Sequence, residues 1–195
     1  MSVTGIVLCG GQSMRMGQDK GAMPFGNETM RERVVRIVGQ VATDVIIVGR
    51  RDQQGITIHD PVEHQGPLAG IAAGLAASTT DLNVIVACDM PLVRAAVLQR
   101  LIDAIGDADI AVAVVDGHAG ALCGVYRSRV APAAQALLDS GERRVMALLD
   151  RVTTKRVDAA TFADIDPNLE SFLSVDTADK YQAALSKMLP SDQAT

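Results

Sequence analysis

The 195-residue chain has no tryptophan and only 3% aromatic residues, so its core has to be built from Val, Ile, Leu, Ala and Met. No stretch approaches the roughly 18 consecutive apolar residues of a membrane span. The first residues lack a basic segment followed by an apolar core and a small-residue cleavage site, so a cytoplasmic protein is expected, away from any membrane. Positive charge is also scarce. Eighteen Lys and Arg against 23 Asp and Glu give a formal net charge of -5, and the cations are scattered rather than gathered in a stripe. This argues against a nucleic-acid surface, and any anionic ligand must be held by a local site.

Cysteine is limited to Cys9, Cys88 and Cys123, odd in number, widely spaced and each within an apolar run. This pattern fits buried, reduced thiols rather than a disulfide framework or a zinc set. Internal repeats, low-complexity blocks and a Pro-rich linker are all missing, and the length suits one domain, expected over residues 1–189, with 190–195 as a frayed tail.

What the chain does contain is an alternation of short apolar runs and longer amphipathic ones. The runs predict strands at Gly5–Leu8, Asp44–Val48, Ile56–Ile58, Asn83–Ala87, Ile110–Val115, Ala121–Tyr126 and Phe172–Val175. Helical patterns fall at Thr29–Ala42, Leu68–Ala77, Val93–Ile105, Arg129–Leu138, Val145–Leu149 and Ala178–Met188, with Ser128 and Thr177 as N-caps. Strands apolar at nearly every position, separated by helices, indicate βαβ units and a mostly parallel sheet covered on both faces, a three-layer α/β/α fold of Rossmann-like kind. In such sheets ligands sit beyond the carboxyl ends of the strands, where the loops after Leu8, Val48, Ile58 and Ala87 would converge.

The first of these loops is the richest. Ile6-Val7-Leu8 runs into Cys9-Gly10-Gly11-Gln12-Ser13-Met14-Arg15-Met16-Gly17-Gln18-Asp19-Lys20, in which glycines let backbone N–H groups approach anionic oxygens and Arg15 and Lys20 add positive charge. This reads as a triphosphate cradle. It is neither a dinucleotide fingerprint, since G-x-G-x-x-G is absent, nor a Walker loop, since no Gly-Lys-Ser/Thr closes it.

Asp89 ends the run Val84–Cys88 and is followed by Met90-Pro91, leaving a carboxylate at the functional edge. It suits Mg2+, which takes one or two carboxylates along with substrate phosphate oxygens and waters; a turn or helix-cap aspartate is the alternative. Asp60, in His59-Asp60-Pro61, repeats the pattern, with a turn-starting role equally open. Gly66-Pro67-Leu68-Ala69-Gly70 opens a helix whose N–H groups face either an anion or close packing. Arg143 and Arg144 precede another helix, where surface solvation is the default. No Ser-His-Asp or Cys-His arrangement is present, so positioning, positive charge and a metal ligand remain, the equipment of phosphoryl or nucleotidyl transfer.

Leu8-Cys9-Gly10-Gly11 through Arg15-Met16-Gly17 and Asp19-Lys20 resembles the signature loop of the molybdenum cofactor guanylyltransferases. The resemblance continues in family order through Gly66–Gly70, Cys88-Asp89-Met90-Pro91, Gly141–Met146 and Phe172–Thr177, and so spans nearly the whole chain. It implies transfer of GMP from Mg-GTP to the terminal phosphate of molybdopterin, with a molybdopterin-carrying protein as a further partner. It also implies nucleotide contacts at Leu8, Cys9, Gly10, Gly11, Lys20, Asp60 and Asp89, with Asp89 as the Mg2+ ligand and Arg15, Lys20 and Asp89 as the catalytic set. Gly66, Gly70, Ser174 and Asp176 match the acceptor side. Ser174 and Asp176 stand where the family often carries asparagines, and an aspartate accepts hydrogen bonds without donating them. Gly10 favours guanine, since related cytidylyltransferases tend to have alanine there. The rival readings are a sister transferase using CTP or a sugar phosphate and a non-catalytic nucleotide-binding module.

Overall fold

The computed structural model describes residues 2–10, 19–50, 53–59 and 66–188. The elements in chain order are β1 (Val3–Leu8), the short hairpin β2 (Pro24–Phe25) and β3 (Glu28–Thr29), α1 (Met30–Val38), β4 (Asp44–Gly49), β5 (Ile58–His59) and α2 (Pro67–Ala77). They continue with β6 (Leu82–Ala87), α3 (Ala95–Ala104), β7 (Ile110–Val115), β8 (His118–Arg127), α4 (Ala131–Asp139), α5 (Val145–Arg151), β9 (Thr154–Asp158) and α6 (Ala178–Leu185). Seven strands form one sheet in the order β5-β4-β1-β6-β8-β7-β9. All run parallel except β8, which is antiparallel to both β6 and β7.

Every position of β1 and β6 is buried, as strands covered on both faces must be. Their side chains alternate between two cores. Val3 and Val7 of β1 and Val84 and Val86 of β6 pack with Val34, Ile37 and Val38 of α1 and Val97, Leu98 and Leu101 of α3. Ile6, Leu8 and Ile85 face the other way, onto Leu68, Ile71 and Leu75 of α2, Leu137 of α4 and Leu148 of α5. Each such side chain contributes about 1.5–3 kcal/mol by leaving water. Three layers result, as the periodicity predicts. The α2 layer comes close enough to require a glycine: a Cβ on Gly74 would lie 2.5 Å from Ile6 Cγ2.

α1 begins with a capping box. Thr29 Oγ1 accepts from Glu32 N, and Glu32 Oε2 accepts from Thr29 N at 2.7 Å. Thr177 caps α6 as expected, its side chain accepting from Lys180 N. Ser128 does not cap α4; it opens a 3-10 turn, Ser128–Val130, ahead of that helix. No helix among the described residues is long and apolar enough to cross a membrane.

Phe172–Val175 is not a strand. The carboxylate of fully buried Asp166 accepts from Glu170 N and Ser171 N, and Leu169 adopts a left-handed conformation, folding Glu170–Phe172 into a 3-10 turn instead. Conversely, β9 is a polar edge strand whose only buried residue is Val157, so it carries no apolar alternation to read. The expected tail, 190–195, lies outside the described residues.

Candidate active site

Because β5, β4, β1 and β6 are parallel neighbours, their carboxyl ends open on one edge, and a cleft of about 110 Å³ lies there. Leu8, Cys9 and Gly10 from the end of β1 and Ala87, Cys88 and Asp89 from the end of β6 form its floor and one wall; Asp19, Lys20, Gly21, Pro67 and Leu122 complete it. Lys20 is placed by a 3-10 turn, Lys20–Ala22. Asp19 caps that turn by accepting from Gly21 N at 3.0 Å, and Arg31 holds the second Asp19 oxygen at 3.5 Å. Asp19 is thereby committed to fixing the loop, leaving Lys20 as the cationic side chain lining the cleft among the described residues.

Asp89 sits in a turn closed by Met90 N donating to Ala87 O. Buried Arg33 donates from Nε to Pro91 O at 2.7 Å, and Val175 N donates to Asp89 O at 2.7 Å. Both bonds fix the backbone and leave the carboxylate directed at the cleft it lines. Burial pushes the Asp89 carboxyl above its usual range, Lys20 opposes that shift, Asp176 adds to it and Lys180 opposes it again. The two loops therefore bring Lys20 and Asp89 within electrostatic reach, while neither forms an ion pair among the described residues. A desolvated carboxylate of this kind is suited to a divalent cation, which restores the charge compensation that burial has removed.

Gly66 and Gly70 border a smaller hollow with Leu8, Gly10, Val48, Gly49 and Pro67, continuous with the cleft through shared residues. Gly66 holds a φ of 76°, which only glycine adopts freely, and this turns the chain into Pro67 at the start of α2. Asp176 is drawn into a 2.7 Å ion pair with Lys180, whose hydrogen bond holds the carboxyl below its usual range. Ser174 lines a separate cavity of about 280 Å³ with Leu92, Phe172, Lys180 and Lys187. Gly11, Arg15 and Asp60 lie outside the described residues.

Sequence reasoning missed Lys180, whose signal was its i+4 spacing from Asp176, and Asp19, whose position ahead of the turn marks a cap. Glu142 accounts for the 141–146 segment: it accepts from Arg143 N, Arg144 N and the Arg144 guanidinium, which hold its carboxyl down to about 2. That clamp is a local surface feature, as the default reading of the two arginines had it.

A family model described as a MobA-like NTP transferase domain matches residues 5–156. The molybdenum cofactor guanylyltransferase of Vibrio vulnificus is 32% identical over 174 residues, covering 85% of this chain and 89% of that one. The molybdenum cofactor guanylyltransferase of Desulfosudis oleivorans is 31% identical over 191 residues, 94% of each. Among solved structures, the molybdopterin-guanine dinucleotide biosynthesis protein A from Archaeoglobus fulgidus shares the fold, with a TM-score of 0.82 at 24% identity over 95% of this chain and 100% of that one.

Proposed function

Because the chain belongs to the MobA-like NTP transferase family, we propose that it is a molybdenum cofactor guanylyltransferase, joining GMP from Mg-GTP to the terminal phosphate of molybdopterin and releasing pyrophosphate. The observation that carries this reading is the cleft shared by Lys20 and Asp89, a cation and a desolvated carboxylate set by separate loops on one strand edge.

Lys20 faces the triphosphate and offsets the charge that builds on the departing pyrophosphate. Backbone at Cys9 and Gly10 offers a close approach to phosphate oxygens, Gly10 having no Cβ to obstruct it. Asp89 holds Mg2+, and when bound that ion supplies Lewis-acid neutralisation of the phosphate oxygens. Arg15, from the same loop as Lys20, belongs to the cation set, while Gly11 and Asp60 belong to the nucleotide contacts. Gly66 and Gly70, which have no side chains, leave the α2 side of the cleft open on either side of Pro67, and Asp176, whose charge reaches Asp89, belongs to the acceptor side, whereas Ser174 opens on the neighbouring cavity. A phosphate monoester is already anionic near neutral pH, so the reaction calls for alignment rather than a general base.

The test is a panel of GTP, CTP and ATP, each supplied with purified protein, Mg2+ and molybdopterin, read by pyrophosphate release and product mass. The expected result is release with GTP and a product heavier by one guanylyl group, GMP less a water. Equal or greater turnover with CTP, or GTP binding with no pyrophosphate, contradicts the reading. The acceptor is to be supplied free and on a molybdopterin-carrying protein, the second partner this function calls for.

A further inference from the structure

The two thiols that β1 and β6 carry just past their last residues are neighbours at the floor of the cleft. Leu8 pairs with Ala87 at the end of the parallel ladder, and Cys88 N donates to Leu8 O at 2.9 Å, so Cys9 and Cys88 follow in register. Both side chains enter the core under α1 and α3, alongside Val7 and Val86 two residues before them. They therefore project to the same side of the sheet, side by side on neighbouring chain segments. Adjacent strands run about 4.8 Å apart, inside the roughly 4.4–6.8 Å that separates bridged Cα atoms. Neither residue belongs to a strand, so closing the Cβ atoms to bridging distance distorts turns rather than the ladder.

We propose that Cys9 and Cys88 are a reversible disulfide-forming dithiol in the floor of the nucleotide cleft, oxidised by hydrogen peroxide when the cleft is empty and shielded when nucleotide fills it. This rests on reading the cleft as the nucleotide site. One sulfur takes a hydroxyl from the peroxide and its thiol proton leaves with the other oxygen as water. The second sulfur then attacks the resulting sulfenic acid, the S–S bond forms, and the hydroxyl departs with the second thiol proton as another water. The sulfurs lose two electrons and the peroxide gains them.

The bond reaches the chemistry through position. Cys88 Sγ lies against Gly21, where a Cβ would meet it at 3.3 Å, so it touches the turn that carries Lys20 and adjoins Asp89 in the chain. Drawing Cys88 toward Cys9 shifts the Asp89 turn relative to Lys20, and a displacement of about 1 Å costs on the order of 10²-fold in turnover. Both thiols are buried, Cys9 at 5% and Cys88 at 6% exposure, so peroxide reaches them slowly and oxidation requires sustained exposure. Cys123 is the internal control: it faces Val86 across the β6–β8 pairing, burial pushes its thiol up to about 12, and it does not line the cleft.

The experiment treats the intact protein with hydrogen peroxide, with and without Mg-GTP, alkylates the remaining thiols and maps the linked peptides by mass. The expected result is a Cys9–Cys88 link, slowed by Mg-GTP, with GMP transfer falling about 10²-fold and returning after dithiothreitol. Cys88→Ser, compared with its own untreated rate, is expected to lose no activity to peroxide, whereas Cys123→Ser responds as the unaltered protein does. A link to Cys123, no link, or a linked protein that transfers at its original rate overturns the proposal. The peptide map reads the bond itself, so it succeeds or fails independently of whether the untreated protein transfers GMP.

Discussion

Val175 donates its amide proton to the carbonyl oxygen of Asp89 at 2.7 Å, tying the late segment of the chain to the end of β6. This bond carries Asp176 to the cleft edge, where its charge is felt by Asp89, and it does so without any strand pairing. The segment itself is anchored from behind by Asp166, which accepts from Glu170 N and Ser171 N, and by Arg94, which donates to Ile165 O at 2.9 Å and pairs with Glu170 at 3.1 Å.

Replacing either member of the central pair disables turnover with the fold intact. Asp89→Asn and Lys20→Met are each expected to lower GMP transfer by about 10²–10³-fold, the usual loss when one preorganised charge contact is removed. Steady-state pyrophosphate release checks the rate, and circular dichroism checks that the fold is retained.

Asp176→Asn acts on the acceptor. The substitution removes a negative charge at the acceptor side and releases Lys180 from its 2.7 Å ion pair. The KM for molybdopterin is expected to fall by about two- to fivefold, the size of a partly exposed charge interaction. The KM for GTP stays the same, and both are read from initial-rate kinetics. A rise in the acceptor KM would show that the aspartate makes a favourable contact.

Stability has an acid-sensitive component at the entrance to β7. Asp109 accepts from Arg129 Nε at 2.5 Å and from Thr153 N at 2.9 Å, joining β7, β9 and the turn after β8. The Arg129 hydrogen bond holds its carboxyl below the usual range in the folded protein. The stabilisation is therefore complete above the unfolded value near 4 and is lost as pH falls through the lower folded value. Asp109→Asn is expected to destabilise the protein at pH 7 and to narrow its difference from the unaltered protein toward pH 3, as followed by urea denaturation.

The α2 contact is a packing test that leaves the chemistry alone. A side chain at Gly74 collides with Ile6, so Gly74→Val is expected to cost about 1–3 kcal/mol through overpacking. Denaturant midpoints measure it. A neutral result would mean that α2 moves away from the sheet without penalty.

The parallel sheet and the strand-end position of Asp89 were legible in sequence because unbroken apolar runs end abruptly in Gly or in Asp-x-Pro, and few other structures accommodate that pattern. The same logic foresaw that the loops after Leu8 and Ala87 meet. It failed at Phe172–Val175, where an apolar run imitates a strand but the buried Asp166 carboxylate, four and five residues upstream, captures the Glu170 and Ser171 amides and turns the chain just ahead of the run. It failed again at Thr154–Asp158, whose edge position buries only Val157. The Asp176–Lys180 pair was hidden for a third reason: its i+4 spacing is common on any exposed helix, and only the Val175–Asp89 bond gives it a place near the cleft.

The most direct test of the central claim, that Lys20 and Asp89 together hold one metal-bound nucleotide, is the affinity of Mn-GTP measured by paramagnetic resonance. Unaltered protein, Lys20→Met and Asp89→Asn are to be compared. The account predicts that Asp89→Asn loses the immobilised manganese signal and that Lys20→Met weakens nucleotide binding. Manganese and GTP bound by both variants as tightly as by the unaltered protein would contradict it.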